Sequence, residues 1–275
     1  MSHQPAHDQF LSVAALQKQT FPDVCACGGA SKLYISRKDV IETWYLINYA
    51  NYLGYQLNVE LVISWAAMGY TTWPAIDAAY SGLMDLMHKH VKGCKDKFGK
   101  PVPFLQYTVF ENGLKFGAHS HTGLHLPRHD FVKFRHWLDK CIERINKTGV
   151  KNTCYCPVPR HDPTTSQWKM FSYAMKGMNP SLMIADMCGD YWHPGLTANY
   201  LLGVKQKYTG YIEFRRVRRS HAMSIRKLRA AGYVPSVDIW NATSSERYSD
   251  AEYRRGERDR MLAAYQAFFG SKPDF

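Results

Sequence analysis

The sequence lacks several features that would assign it to a common class of protein. No run of 18 apolar residues occurs, so we expect no transmembrane helix. The P-loop pattern, GxxxxGK followed by Ser or Thr, is absent, which argues against a P-loop NTPase. The first residues, MSHQPAHDQF, lack the charged and apolar regions of a signal peptide. We therefore expect a cytoplasmic protein whose seven cysteines are reduced.

Acidic residues are also scarce. The 275 residues include 23 Asp plus Glu against 35 Lys plus Arg, which gives a formal net charge of +12. Such an excess predicts a polyanionic partner, nucleic acid first and an anionic membrane surface second. Charge alone does not choose between these two partners.

Most of this positive charge lies in one segment, residues 205–229, which carries a single acidic residue, Glu213. Such a segment would contact phosphates and bind in a salt-dependent way, although a basic face that only meets solvent is the alternative. Three aromatic residues interleave with the charges and are candidates to stack on bases: Tyr208, Tyr211 and Phe214. The basic residues are Lys205, Lys207, Arg215, Arg216, Arg218, Arg219, Arg226, Lys227 and Arg229.

The apolar content of 45% and charged content of 21% are those of a globular protein. We divide the chain into an N-terminal arm with an aromatic-rich helix over 1–56, a central domain over 57–229, and a charged helical tail over 230–275. Hydrophobic periodicity predicts the elements of the central domain. They are a strand at 57–65, helices at 75–92, 131–146 and 166–177, a hairpin at 104–126 and a short strand at 152–158. We expect Glu111-Asn112-Gly113 to form the hairpin turn and Asp130 to cap the second helix.

The return strand of the hairpin carries the pattern His119-Ser120-His121. In a strand, residues i and i+2 point to the same face, so the two imidazoles lie side by side and can ligate a divalent metal. Glu111, across the turn, is the candidate oxygen ligand, and Gln106 or His125 could take its place. A His-x-His pair is weak evidence when it stands alone. The second such pair, His88-Lys89-His90, lies on a predicted helix, where the rings diverge.

A second candidate is the pattern Tyr173-Ala174-Met175-Lys176. On a helix, residues i and i+3 share a face, so the phenol and the ammonium could converge on one phosphate. Tyr173 is the only one of 18 tyrosines that has a lysine three positions later. The rival is the pair Tyr45 and Tyr49, four apart on a predicted helix, although such an aromatic stripe is more often part of a core.

Two pairs of cysteines have the spacing Cys-x-Cys. They are Cys25 and Cys27, and Cys154 and Cys156. Together they would supply four thiolates for a zinc ion, but the spacing is tighter than the usual Cys-x-x-Cys. We favour free thiols.

Taken together, these motifs resemble the HUH endonucleases, in the form of the rolling-circle replication initiators of phages and plasmids. The strand LNVELVISW (57–65) resembles the first motif of that family. ENGLKFGAHSHTGLHLP (111–127) resembles its metal-binding hairpin, and FSYAMKGMNP (171–180) its nucleophile helix. GYIEFRRVRRSHAMSIRKL (210–228) resembles the basic segment that follows. Under the resemblance, the central domain 57–229 is the HUH endonuclease domain.

The resemblance implies an α+β fold, in which a central antiparallel sheet is flanked by helices and the nucleophile helix crosses one face. It implies that His119, His121 and Glu111 hold Mg²⁺ or Mn²⁺. Tyr173 would attack DNA and keep the 5′ end in a phosphotyrosine bond, with Lys176 managing charge or protons.

The order of the motifs favours a single-tyrosine replication initiator, acting on single-stranded or origin DNA in a bacterial host with a host helicase. A conjugative relaxase, a transposase, or a non-catalytic DNA-binding protein on the same fold are the alternatives. Two features depart from the family. Ser120 stands where an apolar residue is usual, and Glu111 lies at the turn itself.

Overall fold

The computed structural model describes residues 33–158, 163–179 and 207–233. Predictions for other parts of the chain, including Lys205, Cys25, Cys27 and most of the tail, therefore lie outside the described residues. The helices are α1 (Arg37–Tyr52), α2 (Trp73–Lys92), α3 (Phe131–Ile145), α4 (Pro163–Ala174) and α5 (Ile225–Ala230). The strands are β1 (Val59–Ser64), β2 (Gln106–Gly113), β3 (Gly117–Leu124), β4 (Cys154–Tyr155) and β5 (Val217–Arg219).

The five strands form one sheet in the order β4-β1-β3-β2-β5, and every pairing is antiparallel. Helices pack on both sides of the sheet, so the predicted α+β class is confirmed. The strand β3, which carries the His-x-His pattern, is the middle strand of the five. Its backbone is therefore paired along both edges, which fixes the direction of its side chains.

Each face of the sheet has its own hydrophobic cluster because successive residues of a strand point to opposite faces. On one face, Tyr107 and Val109 of β2 pack with Trp44 of α1 and Phe171 of α4. On the other face, side chains of β1 such as Ile63 pack with residues of α2 and α3. The nucleophile-helix candidate, α4, thus lies on the same face as α1.

The turn of the hairpin differs from the prediction. The β2–β3 ladder continues through Glu111 to the pair Gly113 and Gly117, and the loop is Leu114–Phe116. Gly117 takes the left-handed conformation with φ of 64°, which suits a three-residue hairpin loop. The Asn-Gly signal is therefore misleading here, and Glu111 is a strand residue.

The predicted cap of α3 is also corrected. Asp130 precedes the helix but makes no side-chain hydrogen bond to its first turn, because a 3-10 turn, Arg128–Asp130, leads directly into it. Among the helices of the described segments, none is both long and apolar enough to cross a bilayer.

Candidate functional site

Three buried side chains converge near the turn of the central hairpin, β2–β3. The register places Glu111 of β2 directly opposite His119 of β3, and His121 follows on the same face. Glu111 Oε2 lies 3.2 Å from His119 Nε2, and Glu111 Oε1 lies 3.6 Å from His121 Nε2. One possible ligand atom from each of these residues lies within 4.8 Å of the other two. The side chains that the sequence separates by up to ten positions therefore form one cluster.

The tautomer of His119 is fixed by the backbone. Its Nδ1 lies 2.8 Å from the carbonyl oxygen of Gly117, which can only accept a hydrogen bond. Nδ1 therefore carries the proton, and in the neutral ring the lone pair of Nε2 points toward Glu111. A hydrogen bond of this kind is the usual way in which a metal-binding histidine is oriented.

His121 is buried, and neither of its ring nitrogens has a hydrogen-bond partner among the described residues. Burial, above all, together with the electrostatic effects of nearby His119 and Lys176, outweighs the attraction of Glu111 and lowers the pKa of His121 to about 3. The ring is therefore neutral near pH 7. An unpaired buried polar group costs about 1–3 kcal/mol, so the unpaired ring nitrogens of His121 destabilise the fold by an amount of this size.

Glu111 is the acidic centre of the cluster. Burial alone would raise the pKa of its carboxyl, but His119, His121 and Lys176 outweigh burial and hold this pKa below its ordinary value. The Lys176 ammonium donates to Glu111 Oε1 at 2.6 Å, and both side chains are buried. The carboxylate is thus ionised, with Oε2 facing His119 and Oε1 bonded to Lys176.

These residues could hold a metal ion. Two imidazole nitrogens and a carboxylate oxygen are a common donor set for divalent first-row metals. The unpartnered nitrogens of His121 and the fixed tautomer of His119 both fit that role. The alternative ligands do not join the cluster. Gln106 lies at the far end of the hairpin, opposite Leu124, and His125 Nδ1 bonds to the carbonyl of Gln56.

Tyr173 lies beside this cluster. Its ring is 5.2 Å from the ring of His121, centroid to centroid, at an interplanar angle of 78°. The Lys176 Nζ lies 3.6 Å from the centroid of the Tyr173 ring. Tyr173 lies at the end of α4 and is 50% exposed, whereas Lys176 follows in the buried 3-10 turn Met175–Gly177. The tyrosine therefore meets solvent on one side and the His-His-Glu cluster on the other.

Two small residues of β3, Ser120 and Gly123, shape the packing on the two faces of the sheet. Ser120 is buried on the opposite face, where its Oγ accepts a hydrogen bond from the Trp65 indole at 3.0 Å. The Ser120 hydroxyl therefore satisfies a buried donor that an apolar side chain would leave unpaired. A Cβ on Gly123 would lie 2.7 Å from the Tyr107 ring and 2.8 Å from Met170 Cε of α4. Glycine at this position lets α4 approach the sheet closely.

A cleft of about 390 Å³ borders Tyr173 between α4 and the β4 edge of the sheet. Its wall includes Tyr155, which is 45% exposed, and the side chain of Lys169. Glu60 and Met170 also line it. No pattern in the sequence marks Tyr155 or Lys169, because their place in the cleft depends on how β4 and α4 meet. An exposed aromatic residue on an edge strand is recognisable only after the fold is known.

The basic segment is split by the structure into different environments. Arg216 is only 3% exposed, and its guanidinium donates to Thr209 Oγ1 at 2.9 Å and to the carbonyls of Phe110 and Gly210. The expected phosphate contact is corrected for this residue, since its donors are engaged inside the protein. Burial lowers the pKa of Arg216 to about 10, which still leaves it charged near pH 7.

Other arginines of the segment are paired at the sheet edge. Arg219 bonds to Glu42 at 2.7 Å and to Asp39 at 3.3 Å, and Arg218 bonds to Asp77 at 2.5 Å. Phe214 packs against Phe110 instead of standing free for a base. The exposed basic residues of the described part of the segment are Lys207, Arg215, Arg226, Lys227 and Arg229.

The two rival motifs, the pair Tyr45 and Tyr49 and the pair His88 and His90, pack against other side chains. Tyr49 is buried in the cluster that lines the α1 face, with Tyr45 packed against that cluster. His88 stacks on Phe104, and His90 stacks on Trp137. These contacts place the tyrosine pair and His90 in packing roles, whereas His88 stays exposed above Phe104.

The two described members of the cysteine pairs are free thiols, and Cys156 is buried. Burial, chiefly, raises the pKa of Cys156 to about 11, which disfavours a thiolate. Comparison of the chain with protein-family models, with curated proteins and with solved structures gave no match.

Proposed function

We propose that this protein cuts and rejoins single-stranded DNA by transesterification, with Tyr173 as the nucleophile and a divalent metal at the His-His-Glu cluster. One observation carries the proposal. The Tyr173 ring packs against His121, and Lys176 touches both that ring and the Glu111 carboxylate. The half-exposed phenol of Tyr173 and the buried ammonium of Lys176 thus lie next to the His-His-Glu cluster.

Glu111, His119 and His121 would hold the metal ion, and Mg²⁺ or Mn²⁺ is the proposed species. Mn²⁺ accepts imidazole ligands more readily than Mg²⁺, which prefers oxygen. The chemistry supplied by a bound divalent cation is Lewis-acid polarisation of the phosphate. All other tasks fall to side chains of this chain.

In the proposed step, the Tyr173 oxygen forms a bond to the phosphorus, and the bond from phosphorus to the 3′ oxygen of the preceding nucleotide breaks. The phenol proton leaves to solvent, which reaches the exposed side of Tyr173. The departing 3′ oxygen takes a proton and becomes a 3′-hydroxyl. The 5′ phosphate stays on Tyr173 as a diester, so the reverse attack by a 3′-hydroxyl rejoins strands without ATP.

Lys176 has two roles in this proposal. Its ammonium lies 3.6 Å from the Tyr173 ring centroid, where its positive charge would stabilise the negative charge of a phosphate under attack. Its bond to Glu111 Oε1 orients the carboxylate and leaves Oε2 for a metal ion. The cleft lined by Tyr155 and Lys169 is the proposed path of the strand, since it opens directly beside Tyr173.

The biological role follows from the resemblance. The His-x-His strand precedes the tyrosine helix, which is the order of the rolling-circle replication initiators and not of the relaxases. We therefore propose initiation of rolling-circle replication of a phage or plasmid, with sequence-specific nicking of origin DNA and a host helicase as partner.

The test is trapping of the covalent intermediate. The full chain is incubated with Mn²⁺ and a pool of single-stranded oligonucleotides of random sequence, labelled at the 3′ end or at the 5′ end. The expected result is a protein–DNA adduct that survives SDS and carries only the 3′ label, because the 5′ phosphate is retained. Sequencing of the trapped strands would give the preferred site.

Two variants accompany this experiment. Tyr173→Phe should form no adduct, whereas Tyr49→Phe should form it at the normal rate, since Tyr49 lies in the core. An adduct that persists in Tyr173→Phe, or one that carries the 5′ label, would overturn the proposal.

A further inference from the structure

We propose a second nucleotide-binding site at the β5 edge of the sheet, in a cleft between α2 and the basic surface formed by β5 and α5. The cleft has a volume of about 600 Å³ and is lined by His88, Lys92, Phe104, Arg218 and Lys227, among other residues. Its ligand is a nucleobase with its phosphate, supplied by a strand of DNA. Binding of DNA at this site does not require the reaction at Tyr173.

The cleft is distinct from the His-His-Glu cluster. Gln106, which lines the cleft, and Glu111 stand five residues apart on β2, and strands rise about 3.4 Å per residue. The two sites are therefore separated by about 17 Å along the strand. Gln106 and Glu111 also have opposite parity, so they point to opposite faces of the sheet.

Positive charge dominates the cleft. Lys92 and Lys227 are exposed at its rim, and Arg218 is held at its wall by Asp77 and by the ring of Phe214, 4.7 Å from its guanidinium carbon. Asp85 is the sole carboxylate among the described residues that line the cleft. This arrangement favours an anion such as a phosphate diester.

An aromatic surface lies beside these cations. The exposed His88 ring stacks on the buried Phe104 ring, with centroids 5.3 Å apart and an interplanar angle of 19°. Phe104 thus supports the imidazole from beneath and leaves its other face open to a base. Aromatic rings combined with a basic groove are the usual means of binding single strands.

The cations and the aromatic ring match two parts of one nucleotide. Lys92, Lys227 and Arg218 suit the phosphate, and the supported His88 ring suits the base. In this cleft the exposed charge of Lys227 and the partly exposed charge of Arg218 meet Lys92 of α2. A single strand that crosses the cleft would therefore find both kinds of contact.

Photochemical crosslinking tests the site directly. Tyr173→Phe protein in EDTA is irradiated with a single-stranded oligonucleotide that contains 5-iodouracil, and the crosslinked peptides are identified by mass spectrometry. The expected result includes a crosslink on the peptide that contains His88. A crosslink confined to the peptides that contain Tyr155 and the substituted position 173 would overturn this site while leaving the proposed nicking site intact.

A second arm separates the two sources of the ligand. Free 5-iododeoxyuridine monophosphate, at the same concentration, should label His88 about tenfold less than the oligonucleotide does, because it lacks the neighbouring phosphates of a strand. Equal labelling by both would assign the cleft to a free nucleotide and overturn the assignment to a DNA strand.

Binding measurements provide the quantitative test. The double variant Lys92→Ala/Lys227→Ala, also in the Tyr173→Phe background, should bind a hexathymidylate about fivefold more weakly at about 0.1 M salt. Its salt-dependence slope should fall by about 1.4, because each phosphate contact on a single strand contributes about 0.7. Lys89→Ala is the matched control, since Lys89 is exposed on the same helix but does not line the cleft. An equal loss in Lys89→Ala, or an unchanged slope in the double variant, would contradict the proposal.

Discussion

The Lys176 ammonium donates to Glu111 Oε1 at 2.6 Å in a buried environment. The same nitrogen lies against the Tyr173 ring, so one side chain connects the nucleophile candidate to the metal-binding candidates. The pattern Tyr-x-x-Lys thus has a geometric meaning in this chain. The lysine reaches inward to the hairpin while the tyrosine stays at the surface.

Replacing Lys176 should affect both chemistry and stability. Lys176→Met removes one partner of a buried pair, which costs about 3 kcal/mol of unfolding free energy in urea or guanidinium titrations. Adduct formation by the folded fraction should fall by roughly 100-fold or more, because the positive charge beside the phenol is lost. Lys140→Met is the control, since Lys140 is exposed on α3 and lines neither cleft. A normal rate of adduct formation in Lys176→Met would contradict the role given to this residue.

Metal binding should depend on the two histidines of β3. Mn²⁺ should raise the thermal unfolding temperature of the natural protein, since a ligand that binds only the folded state stabilises it. His121→Ala should abolish this increase, and EDTA should abolish adduct formation. His129→Ala, at an exposed position outside the cluster, should respond to Mn²⁺ like the natural protein. An Mn²⁺ effect of normal size in His121→Ala would remove the metal assignment.

The close approach of α4 should make Gly123 sensitive to a single methyl group. Gly123→Ala introduces a Cβ within 3 Å of Tyr107 and Met170, so we expect a loss of about 1–3 kcal/mol in unfolding free energy. Because α4 carries Tyr173, the rate of adduct formation in the folded protein should also decrease.

Gly82→Ala is the matched control for this variant. Gly82 lies within α2, and an added Cβ there meets no atom within 4 Å. Alanine is favoured over glycine inside a helix by about 1 kcal/mol, so this substitution should stabilise the protein and leave adduct formation unchanged. Similar effects of both substitutions would show that the approach of α4 is not the cause.

Two neighbouring arginines, Arg215 and Arg216, should differ in their contribution to stability. Arg216→Ala leaves several buried carbonyls and the Thr209 hydroxyl without their donor, and should lower the unfolding free energy by about 3 kcal/mol. Arg215→Ala should change it by less than about 0.5 kcal/mol, because the Arg215 side chain is largely exposed. If the two variants had equal stability, the structural role assigned to Arg216 would be wrong.

The cleft beside Tyr173 should contribute to DNA affinity through Tyr155. Tyr155→Ala should weaken binding of a single-stranded oligonucleotide to Tyr173→Phe protein by about fivefold or more, since stacking of a base on an aromatic ring is worth about 1–3 kcal/mol. Tyr155→Phe keeps the ring and should bind normally. Equal loss in both variants would point to the hydroxyl instead of stacking.

The sequence predicted the histidine pair because strand periodicity is local. His119 and His121 share a face in any strand, and the hairpin partner followed from the neighbouring apolar run. The predicted position of Glu111 at the turn was wrong for a local reason too. The Asn-Gly pair is a strong turn signal, yet the register is set by the whole ladder and by the left-handed conformation of Gly117.

Other features depend on contacts between distant parts of the chain. Arg216 and Arg215 are indistinguishable in a run of basic residues, and contacts with distant groups, such as the carbonyls of Phe110 and Leu33, make Arg216 internal. Tyr155 becomes a cleft residue only where β4 meets α4. Periodicity and spacing describe each element, but they do not say which distant groups will surround a side chain.

The proposed reaction requires that Tyr173 becomes joined to DNA. The most direct measurement is mass spectrometry of the adduct after nuclease trimming and proteolysis. We predict a peptide that contains Tyr173 and carries a nucleotide joined through its 5′ phosphate. A nucleotide attached to any other tyrosine, such as Tyr49 or Tyr155, would contradict the account.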